Sequence, residues 1–195
     1  MNARMMRKFK LQGIPALAVT GVFLGVLLSS APARALISVT GDIPLAYGIK
    51  ESTLAGDEKI TGLKLGVSLP VFVGMAVEKY ALKGTASAAH PNGFAGMSYQ
   101  LDLSMYDLYF DLPVPVVNLG FGFGLGRGHL SFDDGAYRYK VARMSQSFIT
   151  LGYPLLRFFD IHLGYHMIRG TASQSNLKDL EVGGTMYTLG ARFGF

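Results

Sequence analysis

Two histidines and a run of glycines are the residues whose types and spacing could support chemistry. His162 and His166 are four positions apart, which on a helix would place two metal ligands on one face. The glycines between Gly120 and Gly126 superficially resemble a phosphate-binding loop. A dinucleotide fingerprint starting at Gly120 needs glycine at position 125, where Leu125 stands, and a helix after it. The elements that carry these residues therefore decide what they can do.

The composition excludes several classes of protein. The chain has 195 residues, of which 50% are apolar and 16% are charged, so it has too much hydrophobicity and too little charge for a disordered protein. It has 0 Cys, which excludes a disulfide scaffold, a thiolate zinc site and a cysteine nucleophile.

The N-terminus has the three parts of a secretory signal peptide. The apolar run from Ile14 to Leu28 is shorter than the roughly 20 residues that a spanning helix needs, which disfavours the alternative of an uncleaved anchor. We predict a signal peptide over residues 1–35 and a mature chain over residues 36–195. The basic head and the small-x-small cleavage site are formed by Arg4, Arg7, Lys8, Lys10 and Ala33-Arg34-Ala35.

Removal of this segment changes the charge balance. The whole chain has 18 Lys+Arg against 13 Asp+Glu, but five of the bases belong to residues 1–35. The mature chain is therefore neutral, and no basic excess is left to favour a nucleic-acid partner.

The mature chain alternates with a period of two, which is typical of strands. The fifth segment is the plainest, because its odd positions from Val117 to Leu125 are apolar and its even positions are mostly glycine. The sixth, about Tyr137 to Gly152, is the weakest. In the fourth segment the apolar residues move from odd to even positions near Met105–Asp107. We predict a β-bulge there, because an extra residue would cause such a change. Eight such segments can be counted.

The connections between these segments alternate in length. Three are tight and contain proline, and four are longer, at about 49–59, 84–94, 127–136 and 170–180. Short turns on one rim, longer loops on the other and an even number of strands are typical of membrane barrels. We therefore predict an all-β fold, an eight-stranded antiparallel up-and-down transmembrane β-barrel. A soluble barrel is the alternative, but the polar set is too small and too sparsely charged for a wetted exterior.

The last segment carries a specific resemblance. Alternating apolar residues that end in a C-terminal aromatic resemble the final strand of Gram-negative outer-membrane proteins, and the mature chain resembles the small OmpA/OmpX-like barrels along its length. The resemblance implies an outer-membrane location with periplasmic termini, contact with outer-membrane lipid and lipopolysaccharide, recognition by the barrel-assembly machinery, and a structural or surface-interaction role without cofactors or catalysis. We also expect a monomer. The assembly signal would comprise Tyr187, Leu189, Phe193 and Phe195.

The inward positions predict a charged network that fills a narrow lumen. Acids outnumber bases in this set, so either the histidines are charged, or a carboxyl keeps its proton, or Arg143 turns inward. A small wet cavity is the alternative filling. The network is predicted from Asp42, Lys64, Glu78, Gln100, Asp102, Asn118, Asp160, His162, His166 and Arg192.

The sequence favours three other functions less: metal binding, modification of lipid A and conduction through a pore. On a strand, His162 and His166 share a face but lie roughly 13 Å apart, too far to bind one metal ion. Some eight-stranded barrels modify lipid A, but the deacylase pattern of His, Ser and Asn is absent after His166, where Met167, Ile168 and Arg169 follow. A narrow pore is the third possibility.

Overall fold

The structure is a computed structural model that describes residues 37–50, 54, 58–70, 72–87, 92–114, 116–156, 158–175 and 177–194. The predicted signal peptide and the terminal Phe195 lie outside the described residues. No helix in this part of the chain is long and apolar enough to cross a bilayer.

Long strands make up most of the described chain. A single 3₁₀ turn, Asp133–Gly135, connects the fifth and sixth of them. The strands are β1 (Ser38–Ile49), β2 (Lys59–Ser68), β3 (Val73–Thr85), β4 (Ser98–Pro113), β5 (Asn118–Phe132), β6 (Tyr137–Leu156), β7 (Phe159–Ala172), β8 (Leu180–Glu181) and β9 (Gly184–Gly194).

Eight of these strands close into a barrel. Each strand pairs antiparallel with its sequence neighbour, and β9 pairs with both β7 and β1, which closes the sheet. The two-residue strand β8 pairs only with the end of β7. The predicted eight-stranded up-and-down barrel is thus confirmed, and closure leaves none of its strands with an unpaired edge.

The connections define two rims. The turn rim holds the short connections 69–72, 114–117 and 157–158, and the loop rim holds 50–58, 86–97, 133–136 and 173–183. The predicted long third loop is wrong, because β5 continues to Phe132 and only four residues separate it from β6. Leu130 and Phe132 pack inside the barrel, and their burial extends the hairpin beyond the point where we expected a loop.

Near the turn rim, the outer face of the barrel is apolar on every strand. These side chains form one continuous surface, far larger than the few hundred Å² of exposed apolar patch found on soluble monomers. We call this surface the apolar band, and on successive strands it includes the exposed side chains of Ile43, Leu65, Val77, Leu108, Phe123, Ile149, Leu163 and Leu189.

Near the loop rim, the arrangement is reversed. Large apolar side chains fill the inside, and loops contribute Leu54, Phe94 and Val182 to the same cluster. We call this cluster the loop-side core, and its strand residues include Leu82, Leu101, Leu103, Leu130, Val141 and Met186. The outward positions on the same strand segments are polar, among them Lys79, Lys83, Asp102, His129, Arg138 and Lys140.

This reversal explains the change in alternation along β4. The predicted bulge in this strand is wrong. β4 pairs with β3 and β5 without a register shift, so its odd residues point inward along the whole strand. Leu103 is an inward residue near the loop rim and Leu108 is an outward residue in the apolar band. The apolar residues move from odd to even positions because the apolar environment is inside the barrel near the loop rim and outside it near the turn rim. The backbone of β4 stays regular. Gln100 and Asp102 consequently lie on the outer face.

A bulge does occur in β6. Between the pairs Gly126–Met144 and Gly128–Val141, β6 has one residue more than β5, which places the irregularity at Ala142 and Arg143. A bulge moves the following side chains to the opposite face. It therefore accounts for the weak alternation of the sixth segment in the sequence.

The orientation of β4 can be tested with single cysteines, since the chain has 0 Cys of its own. We expect Asp102→Cys to react rapidly with a hydrophilic maleimide on the purified barrel in detergent micelles, because its side chain is exposed on the outer face beyond the apolar band. Leu103→Cys should react only after unfolding, because its side chain lies in the loop-side core. Leu108→Cys is the lipid-facing control and should stay unlabelled by the hydrophilic reagent. Faster labelling of position 103 than of position 102 would contradict this orientation.

Candidate functional site in the barrel lumen

Polar and charged side chains meet inside the barrel on the turn-rim side of the loop-side core. They form two clusters, each assembled from several strands. An eight-stranded barrel has an interior narrow enough for side chains to fill.

The first cluster, the Lys64 cluster, surrounds a buried ammonium group. Lys64 Nζ on β2 lies 2.9 Å from Glu78 Oε1 on β3 and 3.0 Å from Asp107 Oδ2 on β4. Gln146 Nε2 on β6 donates to Glu78 Oε2 at 2.9 Å and to Asp107 Oδ1 at 2.6 Å. One cation and one amide thus contact two buried carboxylates and tie four strands together.

Aromatic rings complete the surroundings of Lys64. Its Nζ lies 3.6 Å from the ring centroid of Phe148, a distance at which the ring face attracts a cation. Phe148 in turn stacks on His166, with 4.9 Å between the ring centroids. The nitrogens of His166 lie 3.2 Å from Gln146 Oε1 and 3.3 Å from Thr188 Oγ1. The cluster therefore extends across the lumen to β7 and β9.

The second cluster, the His162 cluster, places an imidazole between two carboxylates. His162 Nε2 lies 2.7 Å from Asp42 Oδ1 on β1, and Nδ1 lies 3.3 Å from Asp160 Oδ1 on β7. Carboxylates accept hydrogen bonds, so both nitrogens are satisfied together only when both carry a proton. The geometry fits a charged imidazolium at His162.

Arg192 and Asn118 extend this cluster toward the turn rim. Arg192 Nη2 donates to Asp111 Oδ1 at 2.9 Å, and its Nε lies 3.9 Å from Asp160 Oδ2. Asn118 Nδ2 donates to the same Asp160 oxygen at 3.0 Å. Asp160 thus receives contacts from β5, β7 and β9.

Little space separates the two clusters. A void of about 10 Å³ lies between them, bordered by Thr40, Lys64, Phe148 and His162 among others. A cavity needs at least about 10–15 Å³ to hold one water molecule. Among the described residues, the space between the clusters is therefore at the limit for a single water and too small for an organic ligand.

Inward glycines provide the room that these side chains occupy. A Cβ at Gly124 would overlap the Asp107 carboxylate, and a Cβ at Gly190 would overlap Asp42 and His162. The glycine run of β5 is therefore a packing surface, because a Cβ at each of the inward positions Gly120, Gly122, Gly124 and Gly126 would overlap a neighbouring side chain or backbone atom.

The structure brings most of the expected network residues into the lumen. Gln100 and Asp102 are the exceptions and correct the prediction, since they lie outside and hydrogen-bond to each other. The residues placed in the two clusters are Asp42, Lys64, Glu78, Asn118, Asp160, His162, His166 and Arg192.

Sequence reasoning missed four lumen residues. Asp107 and Asp111 share a face with Tyr109, opposite the outward Leu108, so the period of two could have identified them. Gln146 and Thr188 are uncharged, and no sequence signal marks them as partners of a buried ion pair. Of the three ways to balance the acids, an inward Arg143 is excluded, because Arg143 is exposed on the outer face.

The two histidines lie inside the barrel and apart from each other. His162 and His166 belong to different clusters, and the described residues contain no group of three His, Cys, Asp or Glu able to hold a metal ion. His166 is fully buried between Gln146 and Thr188 and is therefore out of reach of a lipid at the barrel rim.

Hydrogen bonds connect described loop residues to strand residues of the loop-side core. Tyr99 donates a hydrogen bond to the Leu54 carbonyl at 2.6 Å, and Tyr47 donates one to the Val182 carbonyl at 2.8 Å. The Tyr139 hydroxyl accepts a hydrogen bond from Asn92, and burial raises the pKa of this phenol. Loop residues are thus bound to strand residues across the mouth of the barrel.

The chain has the fold of the small eight-stranded outer-membrane barrels. Neisserial surface protein A has a similar structure, with a TM-score of 0.55 and 14% identity over 84% of this chain and 100% of that one. The N-terminal barrel of Pseudomonas aeruginosa OprF gives a TM-score of 0.49 and 15% identity over 83% and 99% of the two chains.

The Yersinia pestis attachment protein Ail gives a TM-score of 0.45 and 18% identity over 80% and 96% of the two chains. No protein-family model and no curated protein sequence matches the chain. The predicted resemblance to small outer-membrane barrels is confirmed at the level of the fold.

Removal of the Lys64 charge tests the energetics of the lumen. We expect Lys64→Met to lower the free energy of unfolding by about 3–5 kcal/mol, because Glu78 and Asp107 would both stay buried without a cation. Urea unfolding of the refolded barrel in detergent micelles measures this change. The matched control is Lys59→Met on the same strand, an exposed position where the effect should stay within about 0.5 kcal/mol. Equal effects at both positions would contradict the structural role of the Lys64 cluster.

Proposed function

We propose that the protein is an integral outer-membrane barrel with a structural or surface-interaction role and a lumen that is closed to solutes. The apolar band is the observation that supports this proposal most directly. An outward surface of large apolar side chains on every strand is stable in hydrocarbon and would aggregate in water. A closed sheet is also one of the two structures that satisfy all backbone hydrogen bonds in a bilayer.

The filling of the lumen supports a role other than transport. Across the turn-side half, the two charged clusters connect opposite walls through contacts of 2.6–3.9 Å. Across the loop-side half, apolar side chains and residues from the loops fill the interior. A solute would have to break several buried ion pairs and then cross an apolar core, which makes a stable pore unfavourable.

The final strand supports assembly by the barrel-assembly machinery. Tyr187, Leu189 and Phe193 point outward from β9 and form a continuous apolar edge next to β1 and β7. Together with Phe195, whose position lies outside the described residues, they match the pattern of the expected signal.

The location and orientation follow from the same proposal. Ser38 at the start of β1 pairs with Gly194 at the end of β9. The first and the last barrel strand therefore begin and end at the turn rim, beside the short turns. We propose that this rim is periplasmic, that the signal peptide is cleaved, and that the loop rim faces the outside. Closed strand pairing leaves the barrel edges satisfied, which favours a monomer surrounded by outer-membrane lipid and lipopolysaccharide.

A non-catalytic role is part of the proposal. The candidate base, His166, makes both of its nitrogen contacts inside the barrel and is shielded from lipid by the wall. Its surroundings support a packing role.

Membrane fractionation tests the location. We expect the protein to remain with the outer membrane after carbonate washing and to migrate differently in SDS gels before and after heating, because a closed barrel resists SDS until it is heated. Recovery as a soluble periplasmic protein would overturn the proposal.

Planar-bilayer recording tests the closed lumen. We expect the reconstituted barrel to give no large stable conductance steps, because ion pairs and apolar side chains fill its interior. A porin reconstituted in the same way provides the positive control. Stable, reproducible channel steps from the purified barrel would show that the lumen conducts and would replace the structural role by that of a narrow pore.

A further inference from the structure

The described lumen contains more carboxyl groups than cations. Its positive charges are those of Lys64, Arg192 and a charged His162. An unpaired charge in a narrow interior is costly, so the excess of carboxyl groups has to be compensated. The buried carboxyl groups are those of Asp42, Glu78, Asp107, Asp111 and Asp160.

In the His162 cluster, each carboxylate faces a nitrogen of its own. The two ring nitrogens of His162 face Asp42 at 2.7 Å and Asp160 at 3.3 Å. Arg192 Nη2 donates to Asp111 at 2.9 Å. Arg192 is half-buried and lies toward the turn rim, where water can screen the excess charge of this cluster.

In the Lys64 cluster, two carboxyl groups share the same donors. Glu78 and Asp107 both contact the Lys64 ammonium, at 2.9 and 3.0 Å, and both accept from the amide of Gln146. The two oxygens that face the ammonium, Glu78 Oε1 and Asp107 Oδ2, are buried and accept no well-aligned hydrogen bond. The two carboxyl groups also lie within hydrogen-bonding reach of each other. Two ionised carboxylates at this range would repel each other strongly.

We infer that Glu78 and Asp107 share one proton and form a proton-binding site inside the barrel. A proton on either of the two oxygens that face Lys64 lets one carboxyl group donate a hydrogen bond to the other. Repulsion between like charges is thereby replaced by a hydrogen bond. The cluster then has one carboxylate and one ammonium and is neutral. Pairs of carboxyl groups at close range hold a single proton for this reason.

The other titratable groups around the pair favour the bound proton. Asp42 on β1 lies close enough to interact with the same ammonium, and its negative charge competes for it. Tyr80 on β3 is buried next to the pair, and Tyr109 on β4 lies with its ring 6.0 Å from the ammonium. Both phenols are neutral at pH 7, so neither supplies a positive charge.

His166 on β7 is the other group at which the missing positive charge could reside. Its nitrogens contact the amide oxygen of Gln146 and the hydroxyl of Thr188, and neither partner is charged. Its ring stacks on Phe148, the ring that the Lys64 ammonium also faces. A charged His166 would therefore lie near another cation and would contact no carboxylate, which favours the neutral ring.

Infrared spectroscopy of the refolded barrel tests the shared proton directly. A protonated carboxyl group has a carbonyl stretch that a carboxylate lacks, and exposed carboxyl groups are ionised at pH 7. We expect this band in the unmodified barrel. Glu78→Gln and Asp107→Asn should each abolish it, because one carboxylate then pairs with the ammonium alone. Asp160→Asn in the His162 cluster is the matched control and should retain the band.

The pH dependence of urea unfolding counts the proton. Above about pH 5 the unfolded chain leaves both carboxyl groups ionised, whereas the native pair keeps one proton. Rising pH therefore favours unfolding until the native pair releases that proton. For each pH unit, the unfolding equilibrium constant should rise about tenfold more in the unmodified barrel than in Glu78→Gln. His162 is present in both proteins and cancels. Glu181→Gln, at an exposed position, should keep the slope of the unmodified barrel.

Two results would overturn the proton site. The first is an unmodified barrel without the carboxyl band at pH 7, which needs no variant to fold; a charged His166 in nitrogen NMR spectra would then locate the missing charge. The second is an equal pH slope in the unmodified barrel and in Glu78→Gln. Membrane fractionation and planar-bilayer recording do not depend on this proton, so failure of the proposed function is distinguishable from failure of the proton site.

Discussion

The solvent around the barrel changes along its axis, and the strands satisfy that change in two ways: most keep a regular backbone, whereas β1 and β6 shift their register. Near the turn rim the outside is apolar and the inside is charged; near the loop rim the outside is charged and the inside is apolar. Successive side chains of a strand always point to opposite faces. A strand with a regular backbone that passes from one environment to the other therefore has to change which of its two residue sets is apolar, as β4 does between Leu103 and Leu108.

The same change divides the lumen into two parts that are stabilised by different interactions. In the turn-side half, the charges of Lys64, His162 and Arg192 are matched by carboxylates from other strands, because an unpaired ion in a narrow interior would be very costly. In the loop-side half, where water reaches the outer face, the interior resembles the core of a soluble protein. Glycines such as Gly124 make the charged half possible by leaving room for the side chains that meet there.

The strand pattern predicted most of the architecture from the sequence. The number of strands, the closed antiparallel order and the outward Leu119 to Leu125 face follow from alternation and turn residues. Errors occurred where alternation alone was used to assign a face. Gln100 and Asp102 were expected inside because they alternate with Leu101 and Leu103, and they lie outside because that part of β4 is beyond the apolar band.

For this protein, the sequence by itself determined which residues share a face and where the chain turns, because both are local properties of the backbone. It also determined that a few charged residues must find partners inside a narrow barrel. Only the tertiary structure decided which face of each segment is the inner one and that Asp107 and Gln146 complete the Lys64 cluster. Those relations depend on strand register and on the environment at each height of the barrel, and neither is encoded within a single strand.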